Sequence, residues 1–111
     1  MSAPFVWFDL TAVHAEFYEN LFGWTTRPGA GDYQSWFTAG GQPWGGVAPA
    51  DDVPAGRWVP YVMVDDLDVA TKRAVELGGR IVRQRTTGPG GTSVIVADPG
   101  DALVALFVPT N

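Results

Sequence analysis

Few residues in this chain carry reactive side chains. There is no cysteine and a single histidine, His14. That removes disulfide frameworks, thiolate nucleophiles, iron–sulfur clusters and cysteine-ligated zinc together. The carboxylate with the most unusual setting is Asp9, inside the run Phe5-Val6-Trp7-Phe8-Asp9-Leu10. In an extended strand, period two puts Asp9 on one face with Phe5 and Trp7, and aromatic neighbours withdraw water from a carboxylate, as a general base or a ligand anchor requires. The alternative is an exposed Asp9 at a strand end, paired with backbone or an arginine. His14, beside Val13 and one turn before Tyr18, reads as a solvated helix flank. Ser35 and Ser93 lack a nucleophile-elbow context, so no Ser-His-Asp triad is evident. Arg80, Arg83 and Arg85 put three of the seven basic residues on one strand. With Arg83 and Arg85 on a common face, they could grip a carboxylate or phosphate, although charge on an edge strand also discourages aggregation. Residues 86 to 91 are glycine-rich, but they lack the Gly-Lys-Ser/Thr of a phosphate loop and open no helix. They read as a hairpin.

The charge balance narrows the classes of partner. Of 111 residues, 46% are hydrophobic and 17% charged, with twelve acids against seven bases for a net charge of −5. A nucleic-acid surface needs clustered positive charge, so no nucleic-acid partner is expected, and an anionic membrane surface is disfavoured likewise. No apolar run approaches the roughly 20 residues that cross a bilayer, and Met1 to Pro4 carry no positive segment, so the expected location is the cytoplasm.

The elements follow from periodicity and its punctuation. Residues 5 to 10 read as a strand, followed by a cap-like Thr11. Val13, Phe17 and Leu21 then recur at helical spacing before the stop at Gly23. Residues 32 to 39 predict a strand, with weaker strands at 24 to 27 and 44 to 48, the last weakened by Gly45 and Gly46. Residues 58 to 64 repeat the first strand, with Pro60 marking an edge, a bulge or the strand's first turn. Asp65 and Asp66 offer an N-cap, and Leu67, Ala70, Ala74 and Leu77 make one helical stripe ending at Gly78-Gly79. Strands at 80 to 86, 92 to 97 and 102 to 108 complete the chain. The order strand, helix, three strands occurs twice, with an offset near half the length, and such internal repetition is the strongest fold signal present. The first arm is shorter by four residues, close to one helical turn, so its apolar face keeps its phase.

These segments resemble the vicinal oxygen chelate superfamily, the group of glyoxalases, bleomycin-resistance proteins and ring-cleaving dioxygenases, and within it the short glyoxalase-like branch. The carrying residues are Glu16-Phe17-Tyr18-Glu19-Asn20-Leu21-Phe22-Gly23-Trp24, Trp58-Val59-Pro60-Tyr61 with Val64-Asp65-Asp66, Glu76-Leu77-Gly78-Gly79, and Asp98-Pro99-Gly100-Asp101. The resemblance implies an α+β fold, with two tandem βαβββ modules in one domain spanning residues 1 to 111. Module 1 would cover about 4 to 50 and module 2 about 57 to 109, their curved mixed sheet surrounding a cavity with the helices outside. It also implies a homodimer. In metal-dependent relatives it places ligands on the first and last strands of each module, positions that fall here on Trp7, near Gly46, on Val59 and on Ala105. None of these is a metal donor, so no metal and no cofactor are expected.

Strand alternation then assigns the lining. Val6, Phe8 and Leu10 should face the helix, leaving Phe5, Trp7 and Asp9 inward; Val59, Tyr61 and Met63 face inward on the fifth strand, and Leu103, Ala105 and Phe107 on the last. The expected ligand-binding residues are Trp7, Asp9, Trp36, Tyr61, Met63 and Phe107, with Asp9 the one candidate for catalysis. Such an aromatic, nearly uncharged lining suits a small aromatic or hydrophobic molecule. The expected function is metal-independent binding of the bleomycin-resistance type. The alternative is a lyase, isomerase or dioxygenase using a divalent metal or Asp9 as base.

Overall fold

A computed structural model describes residues 5–11, 14–28, 33–38, 40–49, 53–88 and 90–110. Ten elements follow in the order β1 (Trp7–Thr11), α1 (Ala15–Phe22), β2 (Thr25–Pro28), β3 (Gln34–Phe37), β4 (Pro43–Ala48), β5 (Trp58–Met63), α2 (Leu67–Glu76), β6 (Arg80–Gly88), β7 (Gly91–Ala97) and β8 (Leu103–Pro109). This is βαβββ twice over, an α+β fold. Both weak strand readings in the first half are strands. Val13, Asp32 and Pro89, which the sequence assigned to a helix, a strand and a hairpin, lie outside the described residues. Among the described residues, no helix is long and apolar enough to cross a membrane.

The chain divides into two units, one of residues 7–59 and one of residues 60–110 together with Phe5 and Val6. In the first, the strand order is β2-β3-β4-β1, with β1 and β4 parallel and the other pairs antiparallel. Its core is aromatic. Leu10, Trp36 and Val47 are buried, and Ala15 and Tyr18 of α1 pack on them with Trp24, Trp44 and Trp58. Trp36 stacks on Trp44 at 5.4 Å between ring centroids, and Tyr18 meets Trp58 edge-on at 5.2 Å. This packing corrects the helical stripe read from sequence: Phe17 and Leu21 are each 59% exposed, and Tyr18 faces the core instead. The ring of Tyr18 packs against three tryptophan rings, those of Trp24, Trp36 and Trp58. Helix α1 stops at Gly23, whose positive φ of 72° lets its N–H reach the Glu19 carbonyl at 2.8 Å. Thr11 is not a helix cap. It ends β1, where its hydroxyl donates to the Pro54 carbonyl at 2.7 Å and accepts from the Arg57 N–H at 2.9 Å. The N-cap position of α1 falls to His14, which makes no side-chain cap bond.

In the second unit the order is β5-β8-β7-β6, with β5 and β8 parallel. Leu67 and Ala74 of α2 pack on Ile81, Val94, Val96, Val104, Leu106 and Val108, so one face of the sheet belongs to the helix. The Asp66 carboxylate caps α2 by accepting from the Val69 N–H at 3.0 Å. The opposite face carries the alternate residues of each strand, Tyr61, Met63, Ser93, Ile95, Ala105 and Phe107 among them.

Candidate functional site

In the first unit, Leu10 points into the core under α1, so Trp7 and Asp9, three and one residues before it, occupy the other face of β1. Asp9 is only 6% exposed. Its Oδ1 accepts the Tyr33 hydroxyl at 2.6 Å and the Trp7 indole N–H at 2.8 Å, and that same indole N–H lies 2.9 Å from the Tyr33 oxygen. The three side chains form a closed hydrogen-bonded ring that fixes the orientation of the Trp7 indole. The sequence reading placed Trp7 and Asp9 together but missed Tyr33. Its signal lies in Gly46, directly opposite Asp9 in the parallel register. A Cβ at Gly46 would sit 2.0 Å from the Tyr33 hydroxyl, so only glycine leaves room for that ring.

Trp36 is not brought to this face. It is fully buried in the core under α1, because period two puts it in phase with Gly45 and Phe8, on the side opposite Trp7 and Asp9. Four of the five tryptophans, Trp24, Trp36, Trp44 and Trp58, share that core.

In the second unit, Tyr61 and Phe107 meet edge to face at 5.8 Å, and Met63 pairs with Phe107 across β5 and β8. Tyr61 is buried, whereas Met63 remains 38% exposed at the margin. All three lie on the sheet face away from α2, as strand alternation implies. Beside them is a group that sequence reasoning placed differently. Arg83 and Arg85 do not share a face, because the register of β6 against β7 shifts both between Ile81 and Arg83 and between Arg83 and Thr86. An extra residue in one strand breaks the period-two rule. Arg85 therefore pairs with Asp68 of α2, while the Arg83 guanidinium donates to the Ser93 hydroxyl at 2.8 Å on the opposite face. His14, with its side chain 77% exposed beside Glu16, stays a helix flank.

The corners at which the resemblance puts metal ligands do not suit a metal. Gly46 has no side chain and Tyr33 covers it; the Trp7 indole is a donor only; Val59 and Ala105 are buried hydrocarbon. Asp9 offers one carboxylate where three or more donors are needed, and no group of three His, Asp or Glu residues with such spacing occurs among the described residues. Two shallow grooves lie elsewhere, one along α1 at His14, Phe17 and Tyr18, the other between α2 and β6 at Lys72, Val75 and Gln84.

Comparison with known proteins adds the lineage. A family model described as a glyoxalase-like domain matches residues 7–107. The anthracycline biosynthesis protein DnrV of Streptomyces peucetius is 34% identical, over 91% of this chain and 45% of its own length. The protein CFP32 of Mycobacterium bovis is 31% identical, over 91% of this chain and 44% of its own. The chain thus spans less than half the length of the curated relatives it matches. Among solved structures, an NAD-dependent benzaldehyde dehydrogenase from Legionella pneumophila is similar at a TM-score of 0.59 with 13% identity, over 94% of this chain and 98% of that one, a likeness of fold.

Proposed function

The chain belongs to the glyoxalase-like domain family, and from that premise we propose that it binds a small aromatic or hydrophobic molecule without the help of a metal ion. The observation that carries this reading is the replacement of a metal-ligating corner by the Trp7–Asp9–Tyr33 ring, in which the one carboxylate is engaged by two donors and a rigid indole takes the place of a ligand. Tyr61, Phe107 and Met63 support it with an aromatic and adaptable surface in the second unit. Stacking on such rings contributes roughly 0.5 to 1.5 kcal/mol beyond area burial. A relative named for anthracycline biosynthesis, a chemistry of fused aromatic rings, fits the same lining.

Tryptophan fluorescence and thermal melting test the proposal. Four tryptophans are packed in the core under α1, so a ligand on the outer face should act chiefly through Trp7. With a panel of planar polycyclic natural products, at least one compound is expected to raise Tm and quench emission, and Trp7→Phe should remove most of the quenching while Trp58→Phe does not. A panel that neither stabilises nor quenches would overturn the reading.

A further inference from the structure

Phe17 and Leu21 stand one turn apart on α1 and share one face of it, yet each is 59% exposed, because the residues of α1 that pack on the core are Ala15 and Tyr18. The exposed surface continues through aromatic rings. Phe17 meets Tyr18 edge-on at 5.2 Å, Tyr18 stacks on Trp24 at 6.0 Å, and Trp24 stacks on the exposed Phe22 at 4.8 Å. The exposed apolar residues of α2 make no such patch. Val69, Val75 and Leu77 are not spaced by three or four residues, and Lys72, Arg73 and Glu76 stand between them. A single apolar side chain in water is ordinary, whereas a contiguous aromatic patch with a polar rim, here Glu16, Glu19 and Asn20, has the composition of a protein interface.

We propose that this face of α1 is the contact surface for a second copy of the chain, the two α1 helices packing antiparallel about a twofold axis that passes between Phe17 and Leu21. The shape of the face is self-complementary. A shallow groove at His14, Phe17 and Tyr18 occupies its start, and the exposed Leu21 stands toward its end. Twofold pairing lays the Leu21 of each copy into the groove of the other, against Phe17. The charges match in the same arrangement: α1 has Glu16 in its first turn and no basic residue in its last. Antiparallel packing brings the positive N-terminal end of each helix dipole, with His14, toward the uncompensated carbonyl end of the other. The relatives supply a third reason for a like partner. This chain matches only 45% and 44% of two of them, so a second copy makes up much of the length that each holds in one chain. A net charge of −5 disfavours an anionic membrane as the occupant. Since eight residues of helix extend only about 12 Å, the contact is small beside the roughly 800 Å² per partner of a standard interface, and a reversible dimer in the micromolar range is expected.

Sedimentation velocity over a series from about 1 to about 500 µM tests this, and the wild type is expected to pass from monomer to dimer within it. Leu21→Glu and Phe17→Lys, both at exposed positions, should each weaken dimerisation by roughly tenfold or more, while Val69→Glu, a comparably exposed apolar residue of α2, should leave it unchanged. Because the axis sets Phe17 of one copy against Leu21 of the other, an equimolar mixture of Leu21→Glu and Phe17→Lys should associate roughly fivefold or more tightly than either variant alone. Should one variant fail to melt cooperatively, the other carries the dissociation test. A wild type that stays monomeric throughout overturns the proposal, as does a dimer that both substitutions leave intact. A mixture no tighter than its components overturns the antiparallel pairing. Monomeric protein that floats with phosphatidylserine vesicles, and ceases to do so in Leu21→Glu, assigns the face to a membrane and overturns the second copy as its occupant.

Discussion

Tyr33 is the residue on which the first unit's outer face turns. Its hydroxyl and the Trp7 indole converge on one oxygen of a carboxylate that is 6% exposed, so the carboxylate is satisfied from within the protein. Hydrogen bonds to a charged group contribute more than neutral ones, so Tyr33→Phe is expected to destabilise the fold by about 1.5 to 3 kcal/mol, read as a lowered urea midpoint with unchanged slope. A change below about 0.5 kcal/mol would mean that the ring of hydrogen bonds does not hold the indole. The same contact explains why a glycine stands at position 46: any side chain there, a metal ligand included, would collide with the phenol. From the sequence, Gly46 reads only as a weak point in a strand. The missing information was the identity of the ring lying over it, which comes from a residue outside any regular element, one step before β3.

At the level of elements, each helix is set by different physics. Helix α2 has a capping carboxylate at Asp66, an acidic first turn at Asp68 and Arg73 in its last turn, all favourable to its dipole. Asp66→Ala should therefore cost about 1 kcal/mol, within the usual range for a lost N-cap, and a chemical-denaturation comparison with the wild type would measure it. Helix α1 lacks a side-chain cap and has no fully buried residue, and it is held by the rings of Tyr18 and the tryptophans beneath it. That is why apolar periodicity located α2 and the packing of Leu67 and Ala74 but misjudged the buried face of α1; the last member of the α2 stripe, Leu77, is its C-cap and is 62% exposed. In an aromatic core, ring size and shape outweigh the count of apolar positions. The shifts in β6 make a similar point for strands: residues 83 and 85 share a face only while the ladder is regular, and an inserted residue sends one to α2 and the other to Ser93.

For the molecule as a whole, a donor set with one engaged carboxylate and hydrocarbon corners predicts indifference to metal. Exhaustive dialysis against EDTA should leave Tm unchanged within about 1 °C and leave ligand-induced stabilisation intact, whereas a bound structural or catalytic ion would register as a lowered Tm through linkage. The sequence by itself determined the doubled strand-helix-strand-strand-strand order, both helix stops, the Asp66 cap and the side of β1, β5 and β8 on which Trp7, Tyr61, Met63 and Phe107 lie. These are local properties, set by periods of 2 and 3.6 residues and by glycine and carboxylate at chain turns. Tertiary structure alone decided that Trp36 belongs to the core, that Tyr33 covers Gly46, and that Arg83 parts from Arg85. Each of those depends on which residue of a distant strand stands opposite, and on a ladder's irregularities, neither of which a one-dimensional pattern encodes.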